Sequence, residues 1–229
     1  MAFSKVDLEL HQIYQEYYKD RKDFGHEKDS LLPLFETKLK DALGKKEYYG
    51  RAFDSLTKSK QVTVLTSKDK KLQIYSWDTF NMGSWKQYNS MYQYENNNQL
   101  YTGFLSEKDL NTGNYINFSD GYHFEIIDID TNFYLVKGYG THGHGHEFYT
   151  MRLLSFREGK LQDCISCFNG EDRLVLYKSR SQKDKLTYDL EKKEISFLEH
   201  KEDEDMGVMR PTGKKIVLSF NNGQFKSKN

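Results

Sequence analysis

The hydrophobic pattern of this chain changes period once, near residue 59. Before that point Phe3, Val6, Leu10, Ile13 and Tyr17 recur every three or four residues, the spacing that gives a helix one apolar stripe. Ser4 and Asp7 fit the start of that helix and Gly25 its stop. A second helix is predicted from Asp29 or Ser30, with Leu32, Phe35, Leu39 and Leu43 on one face. Its first turn holds Pro33, where a missing N–H removes no helical hydrogen bond. Gly44 reads as the left-handed residue that closes it, and a short third helix is expected between residues 48 and 56. Stripes of this kind are packing faces.

From Gln61 the period is two. Strands are predicted over 61–67, 71–77, 88–95, 99–105, 114–118, 122–129, 132–139, 146–156, 160–168, 173–178, 185–190, 194–200, 214–220 and 224–227. Turn signals separate them: Lys68-Asp69-Lys70, Asn96-Asn97-Asn98, Asp120-Gly121, Asp130-Thr131, Glu158-Gly159, Asn169-Gly170 and Asn222-Gly223. Pro33 and Pro211 are the only prolines, which suits extensive sheet pairing. No helix-length segment lies between strands, so parallel βαβ folds are disfavoured. The expectation is an α+β protein: N-terminal helices (1–58) packed on a large antiparallel β-meander (59–229), a sandwich or open barrel, in one structural unit. Its core is expected to hold Val64, Ile74, Trp77, Phe124, Ile126, Tyr134, Val136, Phe148, Leu153, Phe156, Leu174, Leu176, Phe197, Ile216 and Leu218. The acidic run 199–205 reads as a solvated loop that continues to Gly213.

Composition changes this picture in one respect. A mean hydropathy of −0.84 and 30% charged residues would suit a disordered chain, but 17 Tyr, 15 Phe and 2 Trp supply the buried area a core needs. Basic and acidic residues balance at 34 each with no basic tract, so nucleic acid is not an expected partner. No apolar run reaches the roughly 18 residues of a membrane span. The chain opens on Met1-Ala2 with no leader, which fits a protein whose leader has been removed.

The densest set of metal-ligating side chains is His142, His144 and His146, separated by single glycines. On an extended segment these positions share a face, and imidazole suits Zn, Cu, Ni or Fe. Glu147 and His123 are conceivable fourth groups. The pattern of His142, His144 and Glu147 resembles the HxH strand motif of cupins but departs in the spacing to the acid, so no cupin assignment is carried over. Equally, a glycine-rich hairpin tip can simply expose its histidines. Nucleophilic catalysis has no signature here: no GxSxG occurs, and no catalytic residue is assigned. Asp128 and Asp130 read as the end of a strand rather than an acid–base pair. Cys164 and Cys167 form a CxxC in a strand-like run. They read as small core residues, as a local disulfide of an exported protein, or as a metal or redox pair.

Both tryptophans lie between residues 72 and 93. Trp77, Asp78, Asn81 and Trp85 would suit a sugar or a protein hot spot if exposed; alternatively Trp77 plugs the core. The surrounding string KKLQIYSWDTFNMGSWKQYNSMYQY resembles a segment of uncharacterised exported bacterial proteins. That resemblance covers about a tenth of the chain, implies a periplasmic or envelope location, and supplies no mechanism. The expected function is therefore a non-catalytic envelope binding protein with a protein partner, such as an immunity protein that neutralises a toxin. A metal-binding protein or metal-dependent enzyme using His142, His144 and His146 is the alternative, and a glycan-binding module the third.

Overall fold

The computed structural model describes residues 2–23, 27–51, 53–58, 60–80, 87–105, 121–142, 145–203 and 208–228, the side chains of 2, 3, 142 and 208 excepted. The chain divides into two compact units, Met1–Phe118 and Ser119–Asn229. The change of period near residue 59 lies inside the first of them.

The first unit carries helices α1 (Ala2–Lys22), α2 (Leu31–Leu43) and α3 (Asp54–Thr57), with a 3-10 turn at Lys46–Tyr48. Strands β1 (Val62–Thr66), β2 (Leu72–Asp78), β3 (Tyr88–Asn96) and β4 (Gln99–Phe104) follow, paired in that order as an antiparallel sheet. Leu10, Tyr14 and Tyr17 of α1 and Phe35, Leu39 and Leu43 of α2 form one core with Tyr75, Trp77 and Met91. Register explains the sheet side of that core. Val62 lies opposite Trp77 and Met91 opposite Tyr75, so these residues share one face. Helix ends are tied down by buried polar side chains. Asp7 accepts the Ser55 and Leu56 N–H groups at 2.8 and 3.0 Å, serving the start of α3, whose first N–H groups lack helical partners. Gln93 Nε2 donates to the Leu43 carbonyl at 2.6 Å and so serves the end of α2. Two expectations are corrected. Gly44 has φ −72°, an ordinary right-handed value, and its N–H continues the helical bond to Lys40 O. The third helix is a 3-10 turn and a single α turn, because α3 draws its cap from Asp7 rather than from its own residues.

The second unit holds β5 (Tyr122–Asp130), β6 (Phe133–His142), β7 (His146–Arg157), β8 (Lys160–Asp163) and β9 (Arg173–Ser179) in one antiparallel sheet. Strands β10 (Thr187–Asp189), β11 (Glu194–Asp203), β12 (Val208–Asn221) and β13 (Gln224–Ser227) form another. Leu135, Met151, Leu153 and Leu176 from the first pack with Ile195, Leu218 and Phe225 from the second. This is the α+β architecture expected from the change of period, with antiparallel pairing throughout. Asn222 and Gly223 join β12 to β13 with φ of 48° and 80°, the doubly left-handed turn that matches strand twist. A Cβ on Gly223 would also stand 2.9 Å from the Phe133 ring, so glycine is required there twice over.

Three strand-level expectations are corrected. Phe124 is 36% exposed rather than core; the pairing of β5 with β6 slips between His123 and Glu125, and such a bulge turns one side chain out of alternation. The acidic run is no loop as far as Asp203: β11 extends through it, with Asp203 paired to Arg210 and Glu199 to Lys214 of β12. The strand expected over 160–168 stops at Asp163. The one expected over 114–118 lies outside the described residues.

A disulfide-closed excursion as candidate functional site

β8 and β9 lie on the same edge of β7. Asp163 pairs with Leu154, the Cys164 N–H still donates to Leu153 O at 2.8 Å, and Arg173 pairs with the next residue, Arg152. The ladder on β7 thus advances by one residue while the chain opposite leaves at 164 and returns at 173. Residues 165–172 are an excursion inserted in what is otherwise one strand. Cys164 and Cys167 close its near side as a disulfide, their Cα atoms 5.6 Å apart; they are also core residues, Cys167 buried and Cys164 packed against the same cluster.

The excursion is held from several sides. The Ser166 N–H donates to Asp172 Oδ1 at 2.7 Å, and Phe168 and Glu171 exchange backbone bonds. The Asn169 N–H donates to Phe225 O, and the Phe225 N–H to Cys167 O. The Phe168 ring stacks on that of Phe225, centroids 5.3 Å apart. Cys167 and Phe168 are buried, Cys164 is half-buried, and Ile165 is 76% exposed, the most of any large hydrophobic described. Beside the disulfide lies a recess of about 230 Å³ lined by Ser155, Arg157, Gln162 and Asp163 on one side and Asn222, Gly223 and Gln224 on the other. Asp163 is fixed by Arg152, whose Nε donates to Oδ1 at 2.8 Å and whose Nη2 pairs with Oδ2. The CxxC and the Asn222-Gly223 turn were both visible as motifs; nothing in the sequence brings them together across a long separation.

The histidine cluster is arranged differently from the expected extended segment. β6 ends at His142, β7 begins at His146, and the two are register partners. The chain reverses between them, with Gly145 at φ +81° and its carbonyl accepting the Arg180 N–H at 3.0 Å. His146 is half-buried; the side chain of His142, and His144 altogether, lie outside the described residues. Among the described residues no group of three or more His, Cys, Asp or Glu could hold a metal. The two conceivable fourth groups do not converge. His123 pairs with Gly138, four residues from 142 and about 13 Å along the strand at 3.3 Å per residue. Glu147 follows His146 directly and therefore points to the opposite face.

Glu147 instead anchors a buried polar cluster. Lys178 Nζ lies 3.2 Å from its Oε1, the Tyr139 hydroxyl donates to Oε2 at 3.0 Å, and the Tyr149 hydroxyl to Oε1 at 3.5 Å. Burial first, and then the Glu147 carboxylate, raise both phenols above their ordinary range, so both remain donors at neutral pH.

In the first unit Trp77 is fully buried, its ring edge-to-face with Phe35 at 5.4 Å, and offers no face to a ligand. Asp78 is buried as well. Its Oδ1 accepts the Phe80 N–H and its carbonyl the Tyr14 hydroxyl, both at 2.8 Å. Asn81 and Trp85 lie outside the described residues. Among the described residues no helix is long and apolar enough to cross a membrane. Comparison of the chain with protein-family models, with curated proteins and with solved structures returns no match.

Proposed function

We propose that this chain is a non-catalytic binding protein of the bacterial envelope that engages a protein partner through the excursion 165–172. The observation that carries the reading is Ile165, 76% exposed at the edge of a disulfide-closed loop. An exposed apolar side chain usually costs nothing and means nothing on its own. Here it is held by a covalent ring, by the Asp172 cap and by backbone bonds to β13, so little order remains to be lost on binding. The polar recess beside it fits the rim that surrounds an apolar anchor in protein interfaces. A disulfide also suits an oxidising compartment, in line with the resemblance of the IYSWDT segment to exported proteins. A toxin-neutralising immunity protein is the specific form of this reading. The test is native co-purification of the wild type and of Ile165→Asp. The reading expects a stoichiometric protein partner that the substitution removes while the melting temperature stays put. A partner retained by Ile165→Asp, or no partner at all, overturns it.

A second reading has one observation in its favour: positions 142 and 146 oppose one another across a hairpin, and directly opposed residues of an antiparallel pair share a face. Zn, Ni or Cu added to EDTA-stripped protein would then raise the melting temperature, and His144→Ala would abolish the rise. At a hundredfold excess over Kd the stabilisation is about 2.7 kcal/mol.

A further inference from the structure

We infer that the Cys164–Cys167 disulfide is an exchange site that accepts two electrons from a peptide thiol such as glutathione. This does not rest on the partner reading, since exchange needs no protein partner.

The sulfurs are unequal. Cys164 is half-buried at the margin of the recess, whereas Cys167 is 1% exposed. Both cysteines line the recess, but Cys167 is shielded at 1% exposure, so an attacking thiolate has the better access to Cys164. Arg157 and Asp163 both line that approach; Arg152 offsets the Asp163 charge, and the Arg157 cation favours a thiolate and the carboxylates of a peptide. Each sulfur also has a carbonyl oxygen waiting: Gly223 O is 3.5 Å from Cys164 Sγ and Ile165 O is 3.4 Å from Cys167 Sγ. A disulfide sulfur has no proton to donate to either. Once reduced, each thiol would carry a proton and would have a carbonyl acceptor close by.

The step balances as follows. Glutathione loses its thiol proton to solvent, and the thiolate attacks Cys164 Sγ. A glutathione–Cys164 bond forms, the Cys164–Cys167 bond breaks, and the electron pair leaves on Cys167, which takes up a proton and donates to Ile165 O. A second glutathione thiolate attacks the glutathione sulfur of the mixed disulfide. Oxidised glutathione departs, and Cys164 takes up a proton and donates to Gly223 O. The protein gains two electrons and two protons; two glutathiones become one disulfide.

The excursion need not unfold for this, because Phe168 and Asn169 remain tied to Phe225 by backbone bonds and ring stacking. The test equilibrates the intact folded protein with reduced and oxidised glutathione at stepped ratios, quenches with an alkylating agent, and counts added groups by mass. The expected result is paired alkylation of Cys164 and Cys167 under native conditions in excess reduced glutathione, reversed by oxidised glutathione. In Cys167→Ser, oxidised glutathione should cap Cys164 at least about tenfold faster than it caps Cys167 in Cys164→Ser, following exposure. A disulfide that stays closed in excess reduced glutathione until denaturant is added overturns the inference and leaves a structural staple. Equal capping of the two single variants overturns it as well. The wild-type measurement stands even if a serine variant fails to fold.

Discussion

The two units differ in what their buried charged groups hold. In the first, helices pack on a sheet, and several buried polar side chains reach backbone groups at helix and strand ends: Asp7 serves the start of α3, Gln93 the end of α2, and the Tyr14 hydroxyl the last carbonyl of β2, while Asn89 with Glu36 and Ser76 with Ser90 pair side chain to side chain. Helix ends leave N–H and C=O groups without partners, so a helix-on-sheet core offers such groups at its edges. In the second unit, sheet packs on sheet, and the ladders consume the backbone. Buried charges there pair with opposite charges, Glu147 with Lys178 and Arg152 with Asp163, with Tyr139 and Tyr149 donating to Glu147 and Lys178 also donating to the Gln182 carbonyl at 2.6 Å. The contrast therefore lies in what a loss leaves behind: an uncapped helix end where Asp7 is removed, a stranded charge where Lys178 is removed.

The largest effect should come from apolar packing, where the units do not differ. Trp77→Ala empties the centre of the helix-facing core and should cost about 3–5 kcal/mol, read as a lower urea midpoint. Lys178→Met comes next. Its Nζ is the cation beside Glu147, and the two side chains are 3% and 10% exposed. Removing one partner of a buried pair costs about 3–5 kcal/mol, whereas replacing both with apolar residues is often neutral or stabilising. Lys178→Met with Glu147→Leu should therefore recover most of the loss. A double variant no better than the single one would show that packing, not the stranded carboxylate, sets the cost.

Asp7→Ala should be milder, about 1–2 kcal/mol, the usual cost of losing a side-chain cap. It leaves the Ser55 and Leu56 N–H groups wanting an acceptor but strands no charge. If urea titration makes Asp7→Ala as costly as Lys178→Met, the contrast between the units fails.

How much of this was legible follows from range. The stripes of α1 and α2, most of the period-two strands and the turns at Glu158-Gly159 and Asn222-Gly223 are local patterns that sit where their spacing placed them. Gly44 and Phe124 misled because a tertiary fact overrode a local one: α2 ends without a left-handed residue, and a bulge turns Phe124 outward. The excursion was hidden for another reason. LQDCISCF alternates well enough to read as strand, and only the shared edge of β7 reveals that β8 and β9 are one interrupted strand. The histidines were read as one extended face, whereas His142 and His146 end opposite strands; a turn of Gly and His carries no sharp length signal.

The smallest effect tests the contrast most finely, through two tyrosines. Tyr49 of the first unit donates to the Lys70 carbonyl at 2.6 Å. Tyr188 of the second is half-buried, its ring edge-to-face with Phe225, and its hydroxyl has no hydrogen-bond partner among the described residues. Burial first, then Asp189, pushes the Tyr188 hydroxyl up to about 12; burial, then Glu95 and Asp69, does the same for Tyr49. An unfolded tyrosine titrates near about 10. Between these values the unfolded chain has lost a proton that the folded chain still holds, so stability falls as pH rises. The contribution is fully present below the unfolded value and is lost by the time pH passes the folded one. Tyr188→Phe should leave stability at neutral pH within about 0.5 kcal/mol of wild type, because no hydrogen bond is given up. Tyr49→Phe should cost about 1 kcal/mol for the bond to Lys70. Both should flatten the decline in melting temperature above roughly pH 10. A loss at neutral pH in Tyr188→Phe as large as that in Tyr49→Phe would mean that the Tyr188 hydroxyl has a polar partner after all.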